Sequence, residues 1–185
     1  MSFIYLTGGE KKRHKIFTRT GDTSTRPTPS IMREALFNMI DVRGKLFLDG
    51  FSGFGTVGLE ALSRGANKVF FIELEKRNVD IIKKNLQKLL YISKATVIRK
   101  DIIFALDSLK GRELFDFIFL GPPYKNLDIL RSVVPKSFKV LKKGGEVIIQ
   151  YPAGITSYDF TKFGIILAKE KKYGSNKLLF YKMES

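Results

Sequence analysis

From Lys45 onward, short apolar runs alternate with longer stretches patterned at helical spacing, which restricts the chain to an α/β fold built on a mostly parallel sheet. Leu46-Phe47-Leu48 reads as a buried strand ending at Asp49, Thr56 to Arg64 as a helix stopped by Gly65, and Lys68 to Glu73 as a second strand. Val79, Ile82, Leu86 and Leu89-Leu90 recur at helical spacing. Ala95 to Arg99 reads as a strand, Ile102 to Leu109 as a short helix and Phe115 to Leu120 as the fourth strand. Leu127 to Leu141 predicts a helix, and Gly144-Gly145 predicts a turn into the strand Glu146 to Tyr151. Phe163 to Lys171 and Lys177 to Lys182, with Tyr173-Gly174-Ser175-Asn176 between them, predict an antiparallel hairpin that closes the sheet.

Residues 1–44 read as a separate extension, with 45–185 forming the sheet domain. Phe3 to Leu6 and His14 to Phe17 predict two strands around a Gly-Gly-Glu-Lys-Lys-Arg turn, followed by a polar loop from Thr18 to Thr28. Pro29 and Ser30 then open a helix from Ile31 to Ile40, with Ile31, Ala35, Leu36, Met39 and Ile40 on its apolar face. No apolar run approaches the ~20 residues that span a bilayer, and the start of the chain lacks the apolar core of a secretory signal. Without cysteine there are no disulfides and no thiolate-held metal. A cytoplasmic monomer without metal or membrane contact is the expectation. The net charge of +15 points to a polyanionic partner, nucleic acid first, although lysine-rich coding bias would raise the charge as well.

Gly53-Phe54-Gly55-Thr56-Val57-Gly58 matches G-x-G-x-x-G between a strand and a helix, with Glu73 twenty residues beyond Gly53 and placed to accept ribose hydroxyls. Dinucleotides and S-adenosylmethionine both fit such a loop. Asp49, four residues before Gly53, would repel a pyrophosphate but suits a ligand carrying an ammonium and a sulfonium. Asp101 puts a third acid at the end of a third strand, where it can accept from an adenine amino group. Open α/β sheets bind ligands at this carboxyl edge. The candidate cofactor residues are therefore Asp49, Gly50, Phe51, Ser52, Gly53, Gly55, Glu73, Leu74, Asp101 and Ile102.

Gly121-Pro122-Pro123-Tyr124 ends the fourth strand. Together with Thr25-Arg26-Pro27-Thr28, the run from Arg33 to Asn38, the run from Gly58 to Ala66, and Phe115 to Leu120, it resembles the RsmD-type 16S rRNA guanine-N2 methyltransferases. The resemblance spans most of the chain. It implies a Rossmann-like class I methyltransferase sheet, S-adenosylmethionine as methyl donor, and 16S rRNA or small-subunit ribonucleoprotein as partner. It also implies Gly121, Pro122, Pro123 and Tyr124 as the catalytic segment.

An exocyclic amine is a poor nucleophile until acceptors hold its hydrogens. The resemblance gives that task to the Pro122 carbonyl, with the Tyr124 ring stacked on the base. Gly121 stands where the family has Asp or Asn. A lost charged hydrogen bond is worth about 1.5–3 kcal/mol, or roughly ten- to a hundred-fold in rate. Three readings stay open: the Pro122 carbonyl with a water suffices, Asp128 reaches in, or the chain binds RNA without methylating it. Gly50 and Phe54 also depart from the family, which has a larger apolar residue and a small hydroxyl residue there, implying altered cofactor affinity.

Lys11, Lys12, Arg13, Lys15, Arg19 and Arg26 are expected to form a basic arm beside the active edge that grips RNA phosphates. Arg33, on the next helix, either joins them or pairs with an acid. His14 has no metal-ligand partner in sequence and reads as a surface or strand residue. Phe51, Phe70 and Phe71 read as core residues. The competing functions are an RNA-binding ribosome-assembly protein, suggested by Gly121, and a nicotinamide-dependent oxidoreductase, suggested by the glycine loop.

Overall fold

The computed structural model describes residues 2–19, 27–112 and 114–184. β1 (Ser2–Tyr5) and β2 (Lys15–Thr18) pair as an antiparallel ribbon. β3 (Leu46–Gly50), β4 (Lys68–Ile72), β5 (Ala95–Ile98), β6 (Phe115–Leu120), β7 (Leu141–Pro152), β8 (Ile165–Tyr173) and β9 (Asn176–Met183) form one sheet. Its order is β5-β4-β3-β6-β7-β9-β8, parallel through β7 and antiparallel at β9 and β8. This is the expected Rossmann-like architecture with its closing hairpin. The central strands are runs of Val, Ile, Leu and Phe because helices cover both of their faces.

One face carries α1 (Ser30–Met39), α2 (Thr56–Ser63) and α3 (Lys76–Leu89), and the other carries α4 (Ile102–Leu109) and α5 (Leu130–Ser137). Chain order reverses between β3 and β6, so the crevice at their C-terminal ends is the switch point where such sheets take ligands. Among the described residues, no helix is long and apolar enough to cross a membrane.

Several local expectations need correction. The buried stripe of α1 is Met32, Leu36 and Phe37, continued by Ile40, with Arg33 buried beside it. Ile31 is 62% exposed because it lies on the opposite side of the first turn. The helix expected over 127–141 shortens to α5, flanked by 3-10 turns. Gly144 does not end a turn before β7 but lies inside it. With φ of +79° it forms a bulge, across which the pairing with β6 steps from Leu141 to Glu146. Phe70 and Phe71 are core residues, as expected, while Phe51 is only partly buried.

The N-terminal extension does not stand apart. Leu6, Ile16, Met32, Leu36 and Val42 share one core with Phe47, Val57 and Leu62. A two-stranded ribbon has too little apolar surface to hold itself together, and here Asn85 of α3 fastens it. Its side chain accepts from the Phe17 N–H at 2.7 Å and donates to the Phe17 carbonyl at 3.0 Å.

Candidate active site

Asp49 and Glu73 meet around the glycine loop, and Asp101 lies at the end of the adjacent strand. β3 ends one residue after Asp49, β4 one before Glu73, and Asp101 comes shortly after β5, so parallel pairing brings the three acids to one edge. Asp49 is buried and accepts from the Gly58 N–H at 2.9 Å. Glu73 accepts from the N–H groups of Gly53 (2.7 Å) and Glu75 (2.8 Å). Asp101 caps α4, taking the Ile103 N–H at 2.9 Å.

The glycines are needed where the backbone turns or approaches closely. Gly53 and Gly55 have positive φ, and a Cβ on Gly58 would lie 2.3 Å from the Phe71 ring. Ser52 closes the turn, its hydroxyl donating to the carbonyls of Asp49 and Ile72. Phe51 holds φ of +61°, a strained conformation for a bulky residue. Ile102 is buried with its Cδ1 3.2 Å from where a Gly50 Cβ would stand, while Leu74 is exposed at the rim. A Cβ on Gly50 would also meet the end of the Leu120 side chain at 2.8 Å. Phe54 is buried.

Eight other acids have a Lys or Arg within 4.0 Å. Among the described residues, Asp49, Glu73 and Asp101 have none; Glu10, Glu34, Glu75, Asp159 and Glu184 have none either, but those five are exposed to water whereas Asp49 is buried. Burial pushes Asp49 up to about 7, with the Gly58 N–H opposing and Glu73 adding repulsion. Burial likewise raises Glu73, against the hydrogen bonds it accepts from Glu75, Gly53 and Asn78. This edge is an acceptor set prepared for a cation.

The tetrad borders the same edge. Gly121 N–H donates to Gly50 O at 3.3 Å, joining the two loops. The Pro123 carbonyl is taken by Asn126 N–H at 2.9 Å, whereas no donor among the described residues takes the Pro122 carbonyl. Tyr124 is half exposed and receives a 3.2 Å hydrogen bond from Gln150 Nε2. Asp128 is tied down by Tyr158 OH at 2.8 Å and Arg131 Nε at 3.3 Å, which hold its carboxyl below the usual range. Depressions of about 480 and 530 Å³ lie beside the end of α1 and between α3 and β5.

Residues 4–182 match the family described as Conserved hypothetical protein 95. YlbH of Bacillus subtilis is 32% identical over 182 residues, covering 96% of this chain and 97% of its own. The chain belongs to this family, the RsmD-type methyltransferases. Ribosomal RNA small subunit methyltransferase D of Buchnera aphidicola (subsp. Baizongia pistaciae) is 36% identical, covering 91% of this chain and 86% of its own. The Haemophilus influenzae protein HI0767 superposes with a TM-score of 0.80 at 27% identity and full coverage of both chains.

Membership decides between the two cofactor classes in favour of S-adenosylmethionine. The residues fit it: a buried acid without a protein cation suits an ammonium, and Glu73 and Asp101 each keep acceptor capacity for hydroxyl and amino donors.

The expected basic arm of this RsmD-type chain is divided. Lys11 N–H bonds Ser63 Oγ at 3.0 Å and Glu10 N–H bonds Ser63 O at 2.8 Å, which fixes the turn with Lys11, Lys12, Arg13 and the exposed His14 at the far end of α2. The glycine loop opens the other end of that helix, roughly 12 Å away by helical rise. Lys15 lies on the outward face of the ribbon, Arg19 directly follows it, and Arg26 is outside the described residues. Arg33 leaves the RNA set. It is 2% exposed, 3.5 Å from Glu60 Oε2, and donates to the Tyr5 and Thr28 carbonyls.

Gln150 and Thr28 were not singled out from the sequence. Thr28 Oγ1 donates to Gln150 Oε1 at 3.0 Å, so these two link the ribbon's connecting loop to Tyr124. Their one sequence signal is a polar residue following the buried run Val147-Ile148-Ile149.

Proposed function

We propose that the chain transfers a methyl group from S-adenosylmethionine to the exocyclic N2 of a guanine in 16S rRNA. The rRNA target follows the names of its relatives, and the amine chemistry follows the Pro122-Pro123-Tyr124 segment. The observation that carries the reading is the uncompensated acid edge beside the free Pro122 carbonyl.

When bound, the cofactor supplies an electrophilic methyl group on a sulfonium. Asp49 would hold its ammonium, Glu73 the ribose hydroxyls and Asp101 the adenine amino group. The Pro122 carbonyl accepts one hydrogen of the target amine and draws its lone pair out of conjugation with the ring. Tyr124 stacks on the base and fixes its plane, so catalysis here is chiefly positioning. Gly121 provides no side-chain acceptor, and Asp128 is engaged by Tyr158 and Arg131, so the Pro122 carbonyl works with water.

Methyl transfer into small-subunit particles by wild type and Gly121→Asp tests this. Among the described residues, a Cβ at Gly121 closely meets only the edge of the Phe119 ring, at 3.3 Å, so the variant fits with a small shift. Measurable wild-type activity, rising about ten-fold or more in the variant, is expected. Methylation of neither RNA, assembled subunit nor DNA would overturn this reading and leave the RNA-binding assembly protein.

A further inference from the structure

We propose that the outward face of the β1–β2 ribbon, continued by one flank of α3, is a binding strip for single-stranded RNA. Phe3, Tyr5 and Phe17 are its stacking platforms, and Lys15, Lys84 and Lys88 are its phosphate contacts. The choice of RNA as partner rests on the rRNA methyltransferase reading.

Antiparallel pairing sets Phe3 opposite Phe17 and Tyr5 opposite Lys15, so these four side chains share one face of the ribbon. Ile4 and Ile16 occupy the other face, where Ile16 and the adjoining Leu6 are buried in the core. The ribbon is thus anchored without its outer rings, yet Phe3 and Tyr5 are each 49% exposed. They stand edge to face at 6.0 Å, with Lys15 Nζ 4.3 Å from the Phe3 centroid. From α3, Lys84 and Lys88 place their ammonium groups 4.7 and 4.5 Å from the Phe17 centroid. Among the described residues no carboxylate lies within ion-pair distance of Lys15 or Lys88. Rings interleaved with cations match a strand that alternates flat bases with phosphates. A protein partner would match the charge but would have no reason to repeat this alternation. The strip borders the C-terminal half of α3, where Lys84 lies eight residues, roughly 12 Å by helical rise, beyond the end of the helix that follows Glu73.

Binding of a short fluorescein-labelled oligouridylate is measured for wild type, Phe3→Ala/Tyr5→Ala and Lys15→Gln/Lys84→Gln/Lys88→Gln, across salt concentrations. Loss of the two rings should weaken binding about ten-fold per stacked base with the salt slope unchanged. Loss of the three lysines should reduce the slope by about two. The chain has no tryptophan, so Tyr5→Trp gives a single indole whose emission should be quenched by the oligonucleotide. Circular dichroism checks that the variants remain folded.

Wild-type affinity in the ring variant overturns the strip, as does an unchanged slope in the lysine variant. Weakening in the lysine variant alone reduces it to a bare phosphate surface and overturns the stacking claim. Methyl transfer is assayed on the same proteins. Methylation with unaffected variants would reject the strip and keep the function, whereas RNA stacking without methylation would do the reverse.

Discussion

Two buried carboxylates on neighbouring elements, one in α2 and one in β3, are treated in opposite ways. Glu60, fully buried in α2, accepts from Thr7 N–H and Oγ1, from Arg64 Nε at 3.0 Å, and pairs with Arg33 at 3.5 Å. Asp49, equally buried in β3, has one backbone N–H and no cation among the described residues. The motif around Glu60 is the more family-specific run of sequence, yet its charges are spent on joining α1, α2 and the ribbon. A charge already satisfied holds a fold together. One left without its counterion has to receive it from a ligand.

The sharpest way to break this contrast is Glu60→Ala, which leaves two guanidiniums without their acid. Removing one partner of a buried pair costs about 3–5 kcal/mol, so denaturant unfolding should show a loss of that order. A loss below about 1 kcal/mol would mean that Thr7 and the carbonyls acting on Arg33 already suffice.

Asp49→Asn should act in the opposite sense. A rise from 3.8 to about 7 corresponds to about 4 kcal/mol of disfavoured charge at full ionisation. Native Asp49 keeps its proton up to about pH 7 while an unfolded aspartate loses it near 3.8, so its contribution to stability falls as pH rises between those values. The unliganded amide variant should therefore be more stable than wild type at about pH 8, by an amount below that ceiling. It should also bind S-adenosylmethionine about ten- to a hundred-fold more weakly by calorimetry. Weaker binding without any gain in stability would show that Asp49 bears no strain before the ligand arrives.

The same group predicts a smaller effect in the unmodified protein. A ligand ammonium stabilises ionised Asp49, so binding expels the proton and affinity rises with pH up to about 7. Between about pH 8 and pH 6 the affinity should fall roughly ten-fold, a dependence that Asp49→Asn abolishes. A pH-independent wild-type affinity would remove Asp49 from the ammonium subsite.

The same contrast separates the legible parts of the sequence from the rest. The alternation of strands and helices and the gathering of Asp49, Glu73 and Asp101 were legible because periodicity locates the strands, and parallel strands deliver the residues at their C-terminal ends to one edge. The role of Arg33 was not, because Glu60 lies on another helix and its partner could be chosen only across space. Gly144 reads as a turn because a bulge and a turn draw on the same left-handed glycine. The placement of Lys11 to Arg13 failed for a related reason: the ribbon's direction is set by Ser63 and Asn85, neither of which announces a partner in the sequence.

Gln150 tests whether the active edge has satisfied contacts of its own. It holds Tyr124 OH and is itself held by Thr28, in the manner of the Glu60 cluster but with neutral groups. A neutral hydrogen bond is worth about 1 kcal/mol, so Gln150→Ala should lower kcat about five-fold by loosening the ring over the base. Affinity for S-adenosylmethionine should be unchanged, since Gln150 touches none of the acids. Gln150→Glu accepts from both hydroxyls and should recover most of the rate. A loss of cofactor affinity in Gln150→Ala, or no recovery in Gln150→Glu, would show that the residue supports the end of β7 and does not aim the Tyr124 ring.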